Sequence, residues 1–338
     1  MMGAAKHIIW TLSVMLGLLA LGGCHRRPLE DPADYTAIRV KVNVKGILNV
    51  TCDVYNENIP VPKIEPDAMH VIFFDEKGGS VAAETFITDV QTDADGVRSL
   101  NGSISVMPGT YKMLVYDFGT EATLIRDYYD YEKALAYTDP VPAMVANQFK
   151  TRVDDNQVLY GEPDHLVVAS SESEEIPYHD ELYTIYTDAK SVVESWYLQI
   201  KVDGLEYVSG ANAVLSGMAS GNFIATDTRV ENPPSSLWFE LRKSDDKGTP
   251  VICAVFNTFG HIDKSQNDLN VTFNIKTTGG KTVLKTFDIS DLFETENAVK
   301  HHWLLLEETI KIDPPATGGG AFDPKVDDWD EEHRDIEI

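Results

Sequence analysis

Side chains able to do chemistry are plentiful in this 338-residue chain, but few are grouped to any purpose. Its 54 acidic residues could set two carboxylates facing each other almost anywhere. A glycoside-cleaving pair would need them roughly 5–10 Å apart, a separation that sequence does not fix. His301 and His302 offer adjacent imidazoles, yet as neighbours on a strand they would point to opposite faces and could not share one ion. Asp323, Asp327, Asp328 and Asp330 could gather calcium, but their spacing lacks the Gly and bidentate Glu of a calcium loop, and a solvated acidic segment is the simpler reading. No G-x-S-x-G, H-E-x-x-H, Walker or G-x-G-x-x-G pattern occurs, which removes the usual support for nucleophilic, zinc-hydrolytic and phosphate-cradling chemistry. The expectation is a chain with no catalytic residue, no metal and no cofactor. Tyr128, Tyr129 and Tyr131, with Trp196, Trp238, Trp303 and Trp329, have rings of the kind that stack on sugars. The tryptophans sit inside strand patterns and are expected in the core, which leaves the tyrosine loop as the glycan-binding alternative.

One thiol stands apart. Met1 to His7 carry a lysine and no acid, and Ile8 to Leu21 then run 14 residues without a charge, the layout of a signal peptide. The apolar run is shorter than the roughly 20 residues of a spanning helix and gives way to Leu21-Gly22-Gly23-Cys24. These four residues resemble the bacterial lipobox, in which small residues let a peptidase reach the bond before a thiol that carries diacylglycerol. The resemblance implies cleavage at Gly23-Cys24, with Leu21, Gly22 and Gly23 as peptidase recognition residues and Cys24 as the lipidation site. Two or three acyl chains, at about 0.8 kcal/mol per buried methylene, would hold the chain firmly at a bilayer.

The net charge of −26 excludes nucleic acid and anionic lipid surfaces as partners of the body of the protein. Only Arg26 and Arg27 lie where they could touch headgroups. Cys52 and Cys253 are far apart in sequence and form no C-x-x-C or Cys/His spacing. Export permits a disulfide between them, but Cys253 lies in the apolar run Val251 to Val255 and reads as a core residue.

The elements that must position these residues read as short strands. Residues 25–34, with two prolines and little to bury, form a tether. Ile38, Val40, Val42 and Val44 alternate with Arg39, Lys41, Asn43 and Lys45, the period of a half-buried strand. Further strands are expected at Met69 to Phe74, Ser103 to Met107 and Tyr111 to Tyr116, the last two as a hairpin through Pro108-Gly109, and at Leu166 to Ala169. A second run opens at Trp196, Leu198, Ile200 and Val202. Val40 to Ile47 align without gaps on Leu198 to Leu205, which suggests two units built on the same opening strand. Strands at Leu237 to Leu241, Val251 to Phe259, Leu269 to Thr277 and Val283 to Ile289 follow, and Asp291 to Val299 is the one helix candidate. After Ile312 comes a Gly-rich linker and a segment from Asp323 to Ile338 in which half the residues are acidic. Val326, Trp329, Ile336 and Ile338 make that segment a terminal strand as readily as a solvated tail.

Together, the lipobox, the alternating opening strand, Phe73-Phe-Asp-Glu-Lys-Gly-Gly79, Met107-Pro-Gly-Thr-Tyr-Lys-Met-Leu-Val-Tyr116, Leu215-Ser-Gly-Met-Ala219, Thr258-Phe-Gly260, Phe287-Asp-Ile-Ser-Asp291 and Gly318-Gly-Gly-Ala-Phe322 through Trp329 resemble Bacteroidales fimbrillin-associated lipoproteins, the fimbrial anchor-like group. The resemblance implies an all-β chain of two tandem transthyretin-like β-sandwiches. The expected organisation is a signal peptide (1–23), a tether (24–34), an N-terminal sandwich (35–178), a C-terminal sandwich (179–312) and a Gly-linked tail or terminal strand (313–338). It implies an outer-membrane, lipid-anchored protein that takes a fimbrial shaft or other envelope subunit by β-strand addition. The residues after Cys24, His-Arg-Arg-Pro, lack the acidic run common in surface-displayed lipoproteins of these bacteria, so the leaflet stays open. The alternative function is a surface glycan-binding lipoprotein module.

Overall fold

A computed structural model of the chain describes residues 34–44, 55–57, 64–94, 97–149, 157–179, 181–265 and 267–315. The expected signal peptide, Leu21 to Cys24, Cys52 and the acidic tail lie outside these residues. The first strands are β1 (Thr36–Asn43), β2 (Met69–Phe74), β3 (Val81–Ile87), β4 (Asp89–Thr92), β5 (Arg98–Val106) and β6 (Gly109–Asp117). Next come β7 (Leu124–Arg126), β8 (Leu135–Tyr137), the one-turn helix α1 (Ala143–Ala146), β9 (Leu159–Tyr160), β10 (Val167–Ile176), β11 (Tyr183–Asp188) and β12 (Lys190–Ser191). Then follow β13 (Glu194–Asp203), β14 (Val208–Met218), β15 (Gly221–Phe223), β16 (Thr228–Arg229), β17 (Ser235–Asp246), β18 (Thr249–Thr258), β19 (Asn270–Thr277) and β20 (Thr282–Asp288). A 3-10 turn at Ser290–Glu294, α2 (Glu296–His301) and β21 (Trp303–Lys311) close the described chain. The all-β expectation is met, and among the described residues no helix is long and apolar enough to cross a membrane.

Two sheets, ordered β11-β1-β5-β4 and β12-β10-β6-β2-β3, enclose the first core. The alternation in β1 does what its period requires: Ile38, Val40 and Val42 are buried against Met69, Val71, Phe73 and Val115, while Ala37 and Arg39 face out. The Asp75 to Ser80 turn explains the β2–β3 hairpin. Gly78 takes a φ of 74°, Gly79 N donates to Asp75 Oδ1 at 3.0 Å and Ser80 Oγ donates to Asp75 Oδ2 at 2.7 Å, so one carboxylate ties the loop. The expected Pro108-Gly109 hairpin is not formed. β5 pairs with β1 and β4, and β6 with β2 and β10, so the turn carries the chain across the core from one sheet to the other. Both strands have an apolar face, and local sequence does not say whether those faces pair side by side or face to face.

The second core lies within an eight-stranded sheet whose path is β20-β19-β14-β17-β18-β13-β21, with β9 added to β17. β17 bends around the corner, pairing with β14 through Leu241 and with β18 from Arg242. Inside lie Leu198, Ile200, Phe239, Phe256, Phe273 and Leu304. The echo between the two opening strands is repeated in three dimensions. β1 has antiparallel β5 on one side (Val40 opposite Gly102) and parallel β11 on the other (Val40 opposite Ile185). β13 has antiparallel β18 (Leu198 opposite Ala254) and parallel β21 (Leu198 opposite Leu304) in the same places.

The two cores are stitched together. β8 pairs with β15 inside the small sheet β16-β15-β8-β7, and β9 runs parallel to β17. Ile72, Phe74, Leu114 and Tyr116, on the outer face of the first sandwich, pack with Tyr131, Ala136, Ile224 and Phe259. That packing, with the rings of Phe86 and Phe118 against His70, is why all six residues of β2 are buried although a sandwich strand ordinarily buries one face. β11 lies beside β1, so hydrogen bonding carries the first sandwich past residue 178.

Candidate functional site

The most open part of the second sandwich is the side between its two terminal strands, β20 and β21. Each is hydrogen-bonded to a single neighbour strand. The chain between them is helical: Thr295 Oγ1 caps α2 by accepting from Ala298 N at 3.2 Å, Glu296 pairs with Lys300, and His302 ends the helix in a left-handed conformation with φ 58°. The single helix expected over Asp291 to Val299 is thus two pieces broken at Thr295. Phe293 and Ala298 reach from them into the core.

β21 is irregular. Leu305 lies opposite Gln199 and Thr309 opposite Lys201, so Leu306, Glu307 and Glu308 bulge from the ladder. A groove of about 640 Å³ opens beside the bulge. Its apolar surface comes from Tyr55, Trp303 and Leu305 and its rim from Asp246, Asp288 and Glu308, with Lys201 as its cation. Tyr55, from the segment after β1, stacks on Tyr197 at 5.3 Å and meets Trp303 edge-on at 4.9 Å. Its hydroxyl donates to Asp246 Oδ2 at 3.0 Å, and Gln199 Nε2 donates to the same oxygen at 3.0 Å. Burial and then Asp246 push the Tyr55 hydroxyl pKa upward. Tyr197 is pushed up by burial first and then by Cys253. The outer face of β13 is therefore covered at Tyr197 and Gln199, where one-sided alternation would have left it open.

Sequence-predicted residues fall as follows. His301 and His302 sit at a helix end and not on a strand, but they do diverge. His301 stacks on Trp303 at 4.3 Å, whereas His302 stacks on Trp196 at 4.4 Å and its Nδ1 lies 3.0 Å from Ser195 O. Among the described residues no group of three or more His, Cys, Asp or Glu is disposed to hold a metal. Trp196 is 5% exposed and in the core. Cys253 is a buried free thiol whose pKa burial pushes up. Of the tyrosine loop, Tyr131 is buried, while Tyr128 and Tyr129 are exposed.

Sequence reasoning missed a hydroxyl–imidazole contact between the sandwiches. Ser195 Oγ lies 3.0 Å from His165 Nε2 and donates to Asn257 Oδ1 at 2.7 Å. It resembles part of a nucleophilic dyad, but Ser195 has no exposed surface and no substrate carbonyl could approach it. The sequence offered no signal for Ser195 or Tyr55, because each matters through a partner 30 or more residues away.

The described residues form an all-β chain of two sandwiches with terminal strands at β20 and β21, and comparison with known proteins gives its family. The chain belongs to the family described as a domain of unknown function, DUF5119, whose model matches residues 47–240. It is 23% identical, over 94% of both chains, to a Bacteroides ovatus protein provisionally named fimbrium anchoring subunit Fim4B. A Bacteroides ovatus protein solved as a candidate adhesin superposes with a TM-score of 0.61 at 20% identity, covering 88% of this chain and 99% of that one. The fimbrial anchor protein Mfa2 of Porphyromonas gingivalis gives 0.48 at 13% identity, over 80% and 88%. The kinship read from the motifs, to Bacteroidales fimbrial anchor-like proteins, is borne out.

Proposed function

We propose that this chain is a lipid-anchored subunit of a fimbria or fimbria-like assembly. On this reading acylated Cys24 holds the protein at the outer membrane, and the open side of the second sandwich takes a strand from a fimbrial partner. The observation that carries the proposal is β21: a terminal strand, bulged at Leu306 to Glu308, beside a 640 Å³ groove with an aromatic wall. An added strand would satisfy backbone donors and acceptors that a sheet edge leaves to water, at about 0.5–1.5 kcal/mol net for each hydrogen bond. Alternate side chains would enter the groove beside Trp303 and Leu305. The rim carboxylates favour a strand with lysine or arginine at its exposed positions, which gives specificity and orientation more than affinity. The name of the Bacteroides ovatus relative supports the same role.

The test is a photo-crosslinking residue in place of Glu307, exposed on the bulge, with the same residue at Tyr186 on the first sandwich as control. Irradiation of native envelopes should join the Glu307 position to a terminal segment of a fimbrial subunit, identified by mass spectrometry of the linked peptides. The adduct should persist when the chain is cut after Ala316. Equal yields from both positions, or an adduct with the chain's own residues 317–338, would refute strand acceptance.

A further inference from the structure

The first sandwich carries a second feature that the anchoring role does not use. Phe86, Phe118, Tyr128 and Tyr129 are 51%, 57%, 40% and 59% exposed, although rings of this size are ordinarily buried. They are contiguous. Phe86 and Phe118 lie 4.8 Å apart and Tyr128 and Tyr129 5.9 Å apart. His70 joins the two pairs, 4.4 Å from Phe86 and 5.8 Å from Tyr128. A contiguous exposed aromatic patch on a folded protein marks a binding surface.

The patch is also held in place. The His70 ring is buried and fixed through both nitrogens, with Nδ1 2.8 Å from Tyr116 Oη and Nε2 3.0 Å from Glu84 Oε2, so Phe86 stacks on a clamped plane at an interplanar angle of 17°. Tyr129 Oη donates to Asp127 Oδ1 at 3.1 Å. The carboxylates of Glu84 and Asp127 stand beside the rings with half of each side chain in water. Of the cations beside it, Arg126 is turned over the Tyr137 ring at 5.2 Å and reaches Asp127 only at 4.0 Å, and Lys133 is paired with Asp130 at 2.6 Å.

We propose that this patch, Phe86, Phe118, Tyr128 and Tyr129 gathered around His70 with Glu84 and Asp127 at its margin, is a binding site for neutral glycans. Aromatic faces accept the C–H faces of pyranose rings, and neighbouring carboxylates accept from sugar hydroxyls. A lipid or purely apolar protein surface would strip water from Glu84 and Asp127 and return no hydrogen bond. An acidic sugar would meet both carboxylates and a net charge of −26. A cation would be drawn to the same rings and carboxylates, and the hexa-arginine arm of the experiment below sets that occupant directly against a neutral sugar. The site lies on the other sandwich from β21, so it stands or falls independently of strand acceptance.

The experiment is isothermal titration of the full chain in detergent with cellohexaose, xylohexaose and mannohexaose, with oligogalacturonate and a hexa-arginine peptide as rivals. At least one neutral hexasaccharide should bind. Its affinity should fall tenfold or more in Phe118→Ala and in Tyr129→Ala, both with unchanged thermal midpoints, while Tyr186→Ala, on the opposite sheet and 70% exposed, should bind as wild type does. No neutral hexasaccharide binding at millimolar concentration would overturn the proposal. So would binding indifferent to Phe118→Ala and Tyr129→Ala, or hexa-arginine or oligogalacturonate binding that these two changes abolish.

Discussion

Glu162 and His165 lie on the connector that passes between the sandwiches, and burial displaces them in opposite directions. Glu162 Oε2 accepts from Asn257 N at 3.0 Å, yet desolvation pushes its carboxyl up to about 7. Desolvation pulls the His165 imidazole down to about 4. A carboxyl raised in the folded state holds a proton that the unfolded chain has released, so its cost to stability grows as pH climbs from roughly 4.3 towards 7. A lowered imidazole has lost a proton that the unfolded chain keeps, so its cost grows as pH falls from roughly 6.5 towards 4. Through the shared window the two slopes oppose, and the wild-type protein should show almost no pH dependence from this pair. Glu162→Gln removes one slope, since the amide still accepts from Asn257 N but has no charge to desolvate. The displacement of Glu162, at roughly 1.4 kcal/mol per pH unit, sets a ceiling of about 3 kcal/mol. With its partial exposure, the expected gain is about 1–3 kcal/mol at pH 8 and close to none at pH 4. Denaturant unfolding followed by circular dichroism from pH 4 to pH 8 should therefore show the stability of Glu162→Gln relative to wild type rising with pH. A variant less stable than wild type at pH 8, or one that gains equally at both ends, would refute this reasoning.

Two further outcomes are expected. Cys24→Ala should move the protein from the detergent phase of a phase partition to the aqueous phase or leave the precursor uncut, and normal processing with detergent-phase recovery would remove the lipid anchor. Gly221→Ala should cost about 1–3 kcal/mol, because a Cβ there would stand 2.5 Å from the backbone oxygen of Ala136, in the ladder that joins the sandwiches. Wild-type unfolding in that variant would show that β8 and β15 can part without loss.

What the sequence made legible was what local physics decides. Met69 to Phe74 is strand over the residues its apolar run marks, and the strands expected at Leu269 to Thr277 and Val283 to Ile289 form β19 and β20, paired as neighbours. The strand missed at Val208 to Met218 is rich in Gly, Ser and Ala, so its apolar period is faint, and its place is set by β17 and β19 on either side. β21 was missed because Leu304, Leu305 and Leu306 obscure the alternation where the strand bulges. The groove was invisible for another reason: Tyr55 meets Asp246, 191 positions later. The sequence placed Tyr128, Tyr129 and Tyr131 together on an exposed loop, but Tyr131 is buried against Phe74, and nothing marked Phe86 and Phe118, which a strand pattern alone would have assigned to the core.

The two sandwiches share a plan, and they differ in how their corners are bridged. In the first, β11 closes the sheet beside β1 as a parallel terminal strand, and the chain then crosses at once to β12, which pairs with β10 in the opposite sheet. On the other side β3 and β4 make the same crossing in the reverse direction. Both corners are bridged by consecutive strands, although β11, β4, β12 and β3 are each hydrogen-bonded to a single neighbour strand. In the second sandwich one corner is bridged by β17 alone, bending from β14 to β18. The other corner, between β20 and β21, is spanned by a 3-10 turn and α2, which seal the core with Phe293 and Ala298 but, being helical, offer no ladder to either strand. Beyond β21, Ile312 N still donates to Asp203 O at 2.8 Å, and among the described residues no strand follows it. The position that β12 occupies beside β10 in the first sandwich corresponds to the outer edge of β20 in the second, where among the described residues no strand lies, so the strand proposed above would meet this corner with an open edge on each side, at β20 and at β21.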